Sequence, residues 1–258
     1  MFKLSRLIPT FLLVLYGDCS AIPNDISDPG RLVSTRISGN NTIIVRDKCV
    51  PEYKICSEKM FNFTDTSAVK SFTIDYCPKN VVQDKNSLDL VITQECGTAL
   101  IYPQKIKYGK VEGRIKIAPG PGAVTAMILI GEEQRDEIDF EWVGKDLVNA
   151  QSMFFINGSA VVSGADFHQI PNKSDTDMSK EFHNYSIELT ENSVKWGIDG
   201  VIVRTLEKES DGTFPSKANT LRFGVWNGSG SSDWAGVMNF TNGNPSGYFE
   251  FIKITQYC

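Results

Sequence analysis

The sequence predicts an all-β protein, a two-sheet antiparallel sandwich of the jelly-roll kind, and three observations predict it. Short runs of alternating apolar and polar residues recur from about residue 49 to 258, the period of half-buried strands. Asp199-Gly200 sits between two such runs, and both residue types tolerate the positive φ that a two-residue hairpin turn demands. No stretch carries sustained helical periodicity. At 258 residues, 41% of them hydrophobic, the chain is long enough for one large β domain.

The N-terminus reads as a secretory signal over residues 1–21. Lys3 and Arg6 form a basic start, Leu7 to Tyr16 an apolar core too short to span a bilayer, and Cys19-Ser20-Ala21 a small-residue cleavage site. The mature chain is expected to begin near Ile22. Residues 22–48 are polar and read as an irregular linker or pro-region, with the main domain following over 49–258. Seven Asn-x-Ser/Thr triplets agree with secretion and are candidate glycosylation sites: Asn40, Asn62, Asn157, Asn172, Asn184, Asn227 and Asn239. Of the six cysteines, cleavage removes Cys19. Cys49 and Cys56 enclose a short loop and are the first candidate for a disulfide. Cys77 and Cys96 are the second, which leaves Cys258 free or paired between chains. No cysteine spacing fits a zinc site and there are two histidines, so neither a metal nor a cofactor is expected. The formal charge of −5, without a basic block, argues against nucleic acid and is compatible with neutral polymers. A monomer without membrane attachment after signal removal is the expectation.

Strands are expected at Leu88–Ile92, Val111–Ile117, Ala123–Ile130, Tyr185–Leu189, Val194–Ile198, Val201–Val203, Leu221–Trp226 and Tyr248–Ile254. The most informative segment is Arg135-Asp136-Glu137-Ile138-Asp139-Phe140-Glu141-Trp142. On a strand, Glu137, Asp139 and Glu141 line one face and Ile138, Phe140 and Trp142 the other. Three stacked carboxylates repel and raise each other's pKa. That is useful where one acid must stay protonated and another ionised, as in glycoside cleavage. Residues i and i+4 lie about 13 Å apart along a strand. Long side chains leaning together can approach the roughly 5–5.5 Å of a retaining pair. The bland alternative is a solvated face with three surface acids. In Leu221–Trp226, the core parity carries Leu221, Phe223 and Val225, while Trp226 shares the other with Arg222 and Gly224. Trp226 is therefore either a sugar-stacking platform or a ring covered by a loop. Trp234 and Trp142 are further candidates for substrate contact, and Trp196 belongs to the core.

Several segments together resemble glycoside hydrolase family 16, and within it the fungal Crh-type cell-wall transglycosylases. They are Tyr108–Lys116, Val124–Leu129, Asp136–Gly144, Phe182–Tyr185, Trp196–Val201, Leu221–Trp226 and Trp234-Ala235-Gly236, in family order over roughly residues 49–255. The resemblance implies a concanavalin-like jelly roll whose concave sheet carries a carbohydrate cleft. It implies Glu137 as nucleophile, Asp139 as its helper and Glu141 as acid/base. Gln151, Phe155 and Arg222 join the candidate substrate contacts. The partners implied are chitin and β-glucan of the fungal wall, the donor being chitin-type. One departure is Met153, which stands where the family commonly has Asn beside the donor sugar. The chain ends at Tyr257-Cys258 without a hydrophobic tail, so a bare secreted catalytic domain is expected. Two other functions stay in view: a β-1,3(4)-glucanase using the same acids, and a carbohydrate-binding protein without turnover, which would have no need of three crowded carboxylates.

Overall fold

The computed structural model describes residues 33–35, 43–45, 53–132, 135–161 and 164–258. Within the stretch read as a linker, β1 (Val33–Thr35) and β2 (Ile43–Val45) pair antiparallel. The signal segment, Asn40 and Cys49 lie outside the described residues. A separate compact unit spans Lys54–Cys258.

That unit is two antiparallel sheets of eight strands each. The sheet that carries the acids, here the cleft sheet, runs in the order β12 (Ser159–Ala160), β11 (Ala150–Ile156), β10 (Glu137–Val143), β9 (Ala123–Ile130), β17 (Thr220–Asn227), β7 (Thr98–Ile101), β4 (Thr73–Tyr76). A further strand, β13 (Asp166–His168), pairs β11 at the edge. The opposite sheet runs β16 (Val201–Glu207), β15 (Ser193–Ile198), β14 (His183–Leu189), β8 (Gly109–Lys116), β18 (Ser246–Tyr257), β6 (Leu88–Val91), β5 (Val81–Gln83), with β3 (Ile55–Asn62) beside β18. Among the described residues the one α-helix is the single turn α1 (Ser232–Ala235). The absence of helical periodicity is thus borne out.

Strand identity follows from burial parity. Along β8, residues alternate buried and half-buried without a break, as the Val111–Ile117 pattern required. The expected Ala123–Ile130 strand coincides with β9, a central strand mostly buried on both faces. Asp199 and Gly200 take φ of 48° and 81° and join Ile198 to Val201 in a two-residue hairpin. Asp199 adds a device of its own: its carboxylate accepts the Asn184 backbone N–H at 2.9 Å and meets His183 Nδ1 at 2.8 Å.

The core is aromatic where it underlies the acids. Phe140 stacks on Trp142 at 5.5 Å, and Tyr185 from β14 meets Trp142 edge-on at 4.5 Å. Trp196 from β15 reaches across the sandwich and donates its indole N–H to the backbone carbonyl of Asp139 at 2.9 Å. Arg204 lies over the Trp196 ring at 4.8 Å and donates to the carbonyls of Ser152 and Gly164. β10 is therefore held from beneath by stacked rings and an indole N–H, and β11 beside it by a guanidinium.

Two expectations about cysteines need correction. Cys56 pairs with Cys258, not Cys49, and the Cα atoms are 5.1 Å apart across 202 residues of sequence. Cys56 lies on β3 beside the end of β18, where Cys258 N also donates to Lys54 O at 2.9 Å. Sheet pairing, not sequence proximity, brings the sulfurs together. Cys258 is accordingly neither free nor intermolecular. Cys77–Cys96 forms as expected. A cross-link closing so long a loop is worth on the order of 5 kcal/mol in a chain-entropy account. Peptide mapping without reduction is expected to recover Cys56–Cys258 and Cys77–Cys96 as linked pairs, and mild reduction to lower the melting temperature. A Cys49–Cys56 peptide in the map counts against this arrangement.

Candidate active site

The inward parity of Ile138, Phe140 and Trp142, each fully buried, turns Glu137, Asp139 and Glu141 onto the outer face of β10. The register then extends each acid into a row across the sheet. Glu141 lies opposite Gln151 on β11 and Ala126 on β9, and that row continues through Gly224 on β17 and Ala99 on β7 to Tyr76 on β4. Asp139 lies between Met153 and Ile128, with Arg222 beyond. Glu137 lies between Phe155 and Ile130. Small residues floor the Glu141 row. A Cβ at Gly224 would sit 2.7 Å from the Ala99 Cα, so glycine there lets β7 close up and keeps the floor low.

Over this floor lies a cleft of about 380 Å³, lined by Glu137, Glu141, Ala126, Ile128, Arg222, Gly224, Trp226 and Tyr76 among others. It runs across the strands from β10 to β4. One wall is aromatic: Trp226 stacks on Trp234 from α1 at 5.7 Å with 28° between the rings. Trp234 donates its indole N–H to Gln151 Oε1 at 2.5 Å, which ties the wall to the Glu141 row. Arg222 is clamped by Asp75 at 2.6 Å and lies 5.9 Å from the Tyr76 ring centre, so its charge is fixed near Glu137.

The three acids titrate apart. Burial, then the charges of Glu141 and Glu137, push Asp139 well above the usual carboxylate range. That shift favours the protonated form of Asp139, whose carboxyl hydrogen-bonds Glu137. Glu137 is also raised by burial, but that donated hydrogen bond and the positive charge of Arg222 pull it back. Of the three it has the most neighbours opposing the rise. Glu141 is pushed up to about 7, first by burial and then by the Glu137 charge, against a lowering hydrogen bond with Trp226. Three acids raised to different degrees by different neighbours thus share a strand face. Asp139 Oδ1 is buried with no hydrogen-bond partner. The residue across the register is Met153, whose thioether donates nothing. A neutral carboxyl tolerates that site where a carboxylate would not.

Most sequence candidates converge. Trp226, Trp234, Gln151, Arg222 and Phe155 all reach the cleft face or its wall. Trp142 does not. It is fully buried between Phe140 and Tyr185, on the inward parity of β10, and cannot touch substrate. Trp196 is core, as expected. Tyr76 and its neighbour Asp75 were not anticipated, because β4 is four residues long with no fully buried position, and its pairing with β7 shifts register between Ile74 and Tyr76. Asp136, adjacent to the acids, has a supporting part: its carboxylate accepts the backbone N–H groups of Asn157 and Lys217, each at 3.0 Å, pinning two loops beside β10. Among the described residues no cluster of His, Cys, Asp and Glu could hold a metal ion.

A jelly-roll sandwich with three differently tuned acids along one cleft strand has the construction of a glycoside-cleaving enzyme. The chain belongs to glycosyl hydrolases family 16, whose profile matches residues 68–242. It is 30% identical over 219 residues to Crh-like protein UTR2 of Candida albicans, covering 82% of this chain and 44% of that protein. It is 33% identical over 160 residues to Congo red hypersensitive protein 1 of Saccharomyces cerevisiae, covering 59% of this chain and 30% of that one. The chain thus spans under half the length of these relatives. Its fold matches a structure of Crh5 transglycosylase in complex with NAG with a TM-score of 0.69 and 25% identity, over 81% of this chain and 88% of that one. A Bacillus licheniformis β-glucanase matches with a TM-score of 0.66 and 19% identity, over 79% of this chain and 100% of that one, a likeness of fold alone.

The raised Glu141 has a consequence for stability. The folded chain holds this proton up to about pH 7, while the unfolded chain releases it near 4.5. The stabilisation this proton confers is complete below pH 4.5 and is lost as pH rises through 7. Glu141→Gln removes the ionisation, so its stability relative to the parent is expected to improve by on the order of 2 kcal/mol between pH 5 and pH 8. Denaturant melts at the two pH values measure it; a difference that stays flat with pH contradicts a buried, raised Glu141.

Proposed function

We propose that this chain is a retaining β-glycan transglycosylase that cleaves a chitin-type donor and transfers it to β-glucan in fungal cell-wall assembly. The observation that carries the reading is the graded protonation of Glu137, Asp139 and Glu141 on one strand of a cleft-bearing sheet. Glu137 attacks the anomeric carbon as Glu141 gives its proton to the departing glycosidic oxygen. A covalent glycosyl-enzyme and a free sugar end result. Glu141, now ionised, takes the proton of the acceptor hydroxyl, whose oxygen displaces Glu137. Asp139 keeps Glu137 oriented and, by donating to it, restrains its charge until attack. The stacked Trp226 and Trp234 supply flat surfaces for sugar rings. The likeness to fungal Crh-like proteins and to Crh5 transglycosylase supports transfer and a wall polysaccharide as substrate.

In the same reading, residues 1–21 are a cleaved signal, 22–48 a linker and 49–258 the catalytic domain of a secreted, monomeric glycoprotein. Asn62, Asn157, Asn172, Asn184, Asn227 and Asn239 are all solvent-exposed, which suits glycosylation. No described helix is long and apolar enough to cross a membrane.

Replacing Glu137 or Glu141 with Gln is expected to lower turnover by orders of magnitude, because the covalent route needs both. Asp139→Asn should cost less. Near-normal turnover in either Gln variant overturns the assignment. The choice between transfer and hydrolysis is settled by a time course with a chito-oligosaccharide donor, with and without a laminari-oligosaccharide acceptor. Hybrid products should dominate. If released reducing ends account for nearly all donor consumed at saturating acceptor, the protein is a hydrolase instead.

A further inference from the structure

The short edge strand β13 is built inside out. A half-buried strand ordinarily turns its apolar residues to the core and its polar ones to water. Here His168 faces inward, where its Nε2 meets Ser152 Oγ at 2.8 Å and its ring lies edge-on to Phe140 at 6.4 Å. Parity then forces Phe167 onto the cleft face, where it is 56% exposed. It cannot swing inward without giving up the His168 anchor, so the exposure is built into the strand.

The register places this ring in a particular row. Phe167 pairs with Gln151, which pairs with Glu141. The row therefore reads Phe167, Gln151, Glu141, Ala126, Gly224, Ala99, Tyr76, with an aromatic ring at each end and small residues over the cleft floor between. The cleft already runs along this row from Tyr76 to Glu141. Beyond Glu141 the same face continues over β11 to Phe167, two strand spacings away, roughly 9–10 Å. A β-linked pyranose advances its chain by about one strand spacing, so Phe167 lies some two sugars from the bond at Glu141.

We infer that Phe167 is an outer sugar-binding platform, stacking beneath a pyranose ring of a β-linked glycan chain that leaves the cleft over β11 and β13. The inference rests on the proposed glycan chemistry of the cleft and extends its reach by two units. The ring offers a rigid apolar face to the C–H face of a sugar. Gln151, tied to Trp234, holds the intervening surface in place.

The test measures binding in the Glu137→Gln protein, so that no turnover occurs. Chito- and laminari-oligosaccharides of two and five sugars are titrated calorimetrically against the parent, a Phe167→Ala version and a Phe167→Trp version. Phe167→Ala should weaken five-sugar binding about tenfold, or ~1.4 kcal/mol, and leave two-sugar binding unchanged. Phe167→Trp should restore it. An exposed ring leaves folding intact, and an unchanged melting temperature checks that. Five-sugar affinity within twofold of the parent, or equal weakening at both lengths, overturns the platform while leaving the cleft's function standing. If the parent binds neither series at either length, the glycan reading itself falls and the platform with it.

Discussion

The two-residue period of β10 is the constraint on which the rest depends. Its inward set, Ile138, Phe140 and Trp142, is fully buried against Tyr185 and its neighbours. A one-residue slip of the strand would bury three acids and expose three large apolar side chains. Burying an aromatic of this size is worth roughly 1.5–3 kcal/mol, so the slip is closed to the chain. The positions of the acids are thus fixed by packing on the far side of the strand. Trp196 strengthens the same constraint by bonding the Asp139 carbonyl from the opposite sheet.

Having fixed the acids, the fold then makes them uncomfortable in graded degrees. Asp139 is almost wholly buried and is pushed well above the usual carboxylate range, whereas Glu137 and Glu141 keep contact with the cleft. Arg222 is aimed at Glu137 by its clamp to Asp75, and Trp226 serves Glu141. The partners differ, so the protons settle differently, although the three residues are near-identical chemically. Crowding like charges costs stability. The core aromatics beneath and the long-range Cys56–Cys258 link offset that cost.

How much was legible follows the same physics. Strands with one buried face, such as β8 and β17, announced themselves by alternation, and the Asp199-Gly200 turn by its φ requirement. β3 did not, because it is exposed along most of its length, with Ile55 and Met60 both 55% exposed, so no parity reaches the sequence. The Cys56 partner was hidden because the pairing of β3 with β18 joins the two ends of the domain. Trp142 was misread for a different reason. Its parity with Ile138 and Phe140 places it in the core, whatever the affinity of an indole for sugars. β13 shows the opposite case: its inverted pattern looks like no strand in sequence, and only the His168–Ser152 anchor explains it.

Met153 shows how a single departure propagates. Its position was readable as a change beside the donor sugar. The register gives it a second meaning, because it stands across from Asp139 and leaves Oδ1 without a donor. An amide there could donate to that oxygen and so favour the charged carboxylate. A thioether cannot, which deepens the preference of Asp139 for its proton. A retained proton on Asp139 is what restrains Glu137. Met153 therefore bears on Glu137 through Asp139, and what faces Asp139 shapes this protonation pattern alongside the three acids themselves.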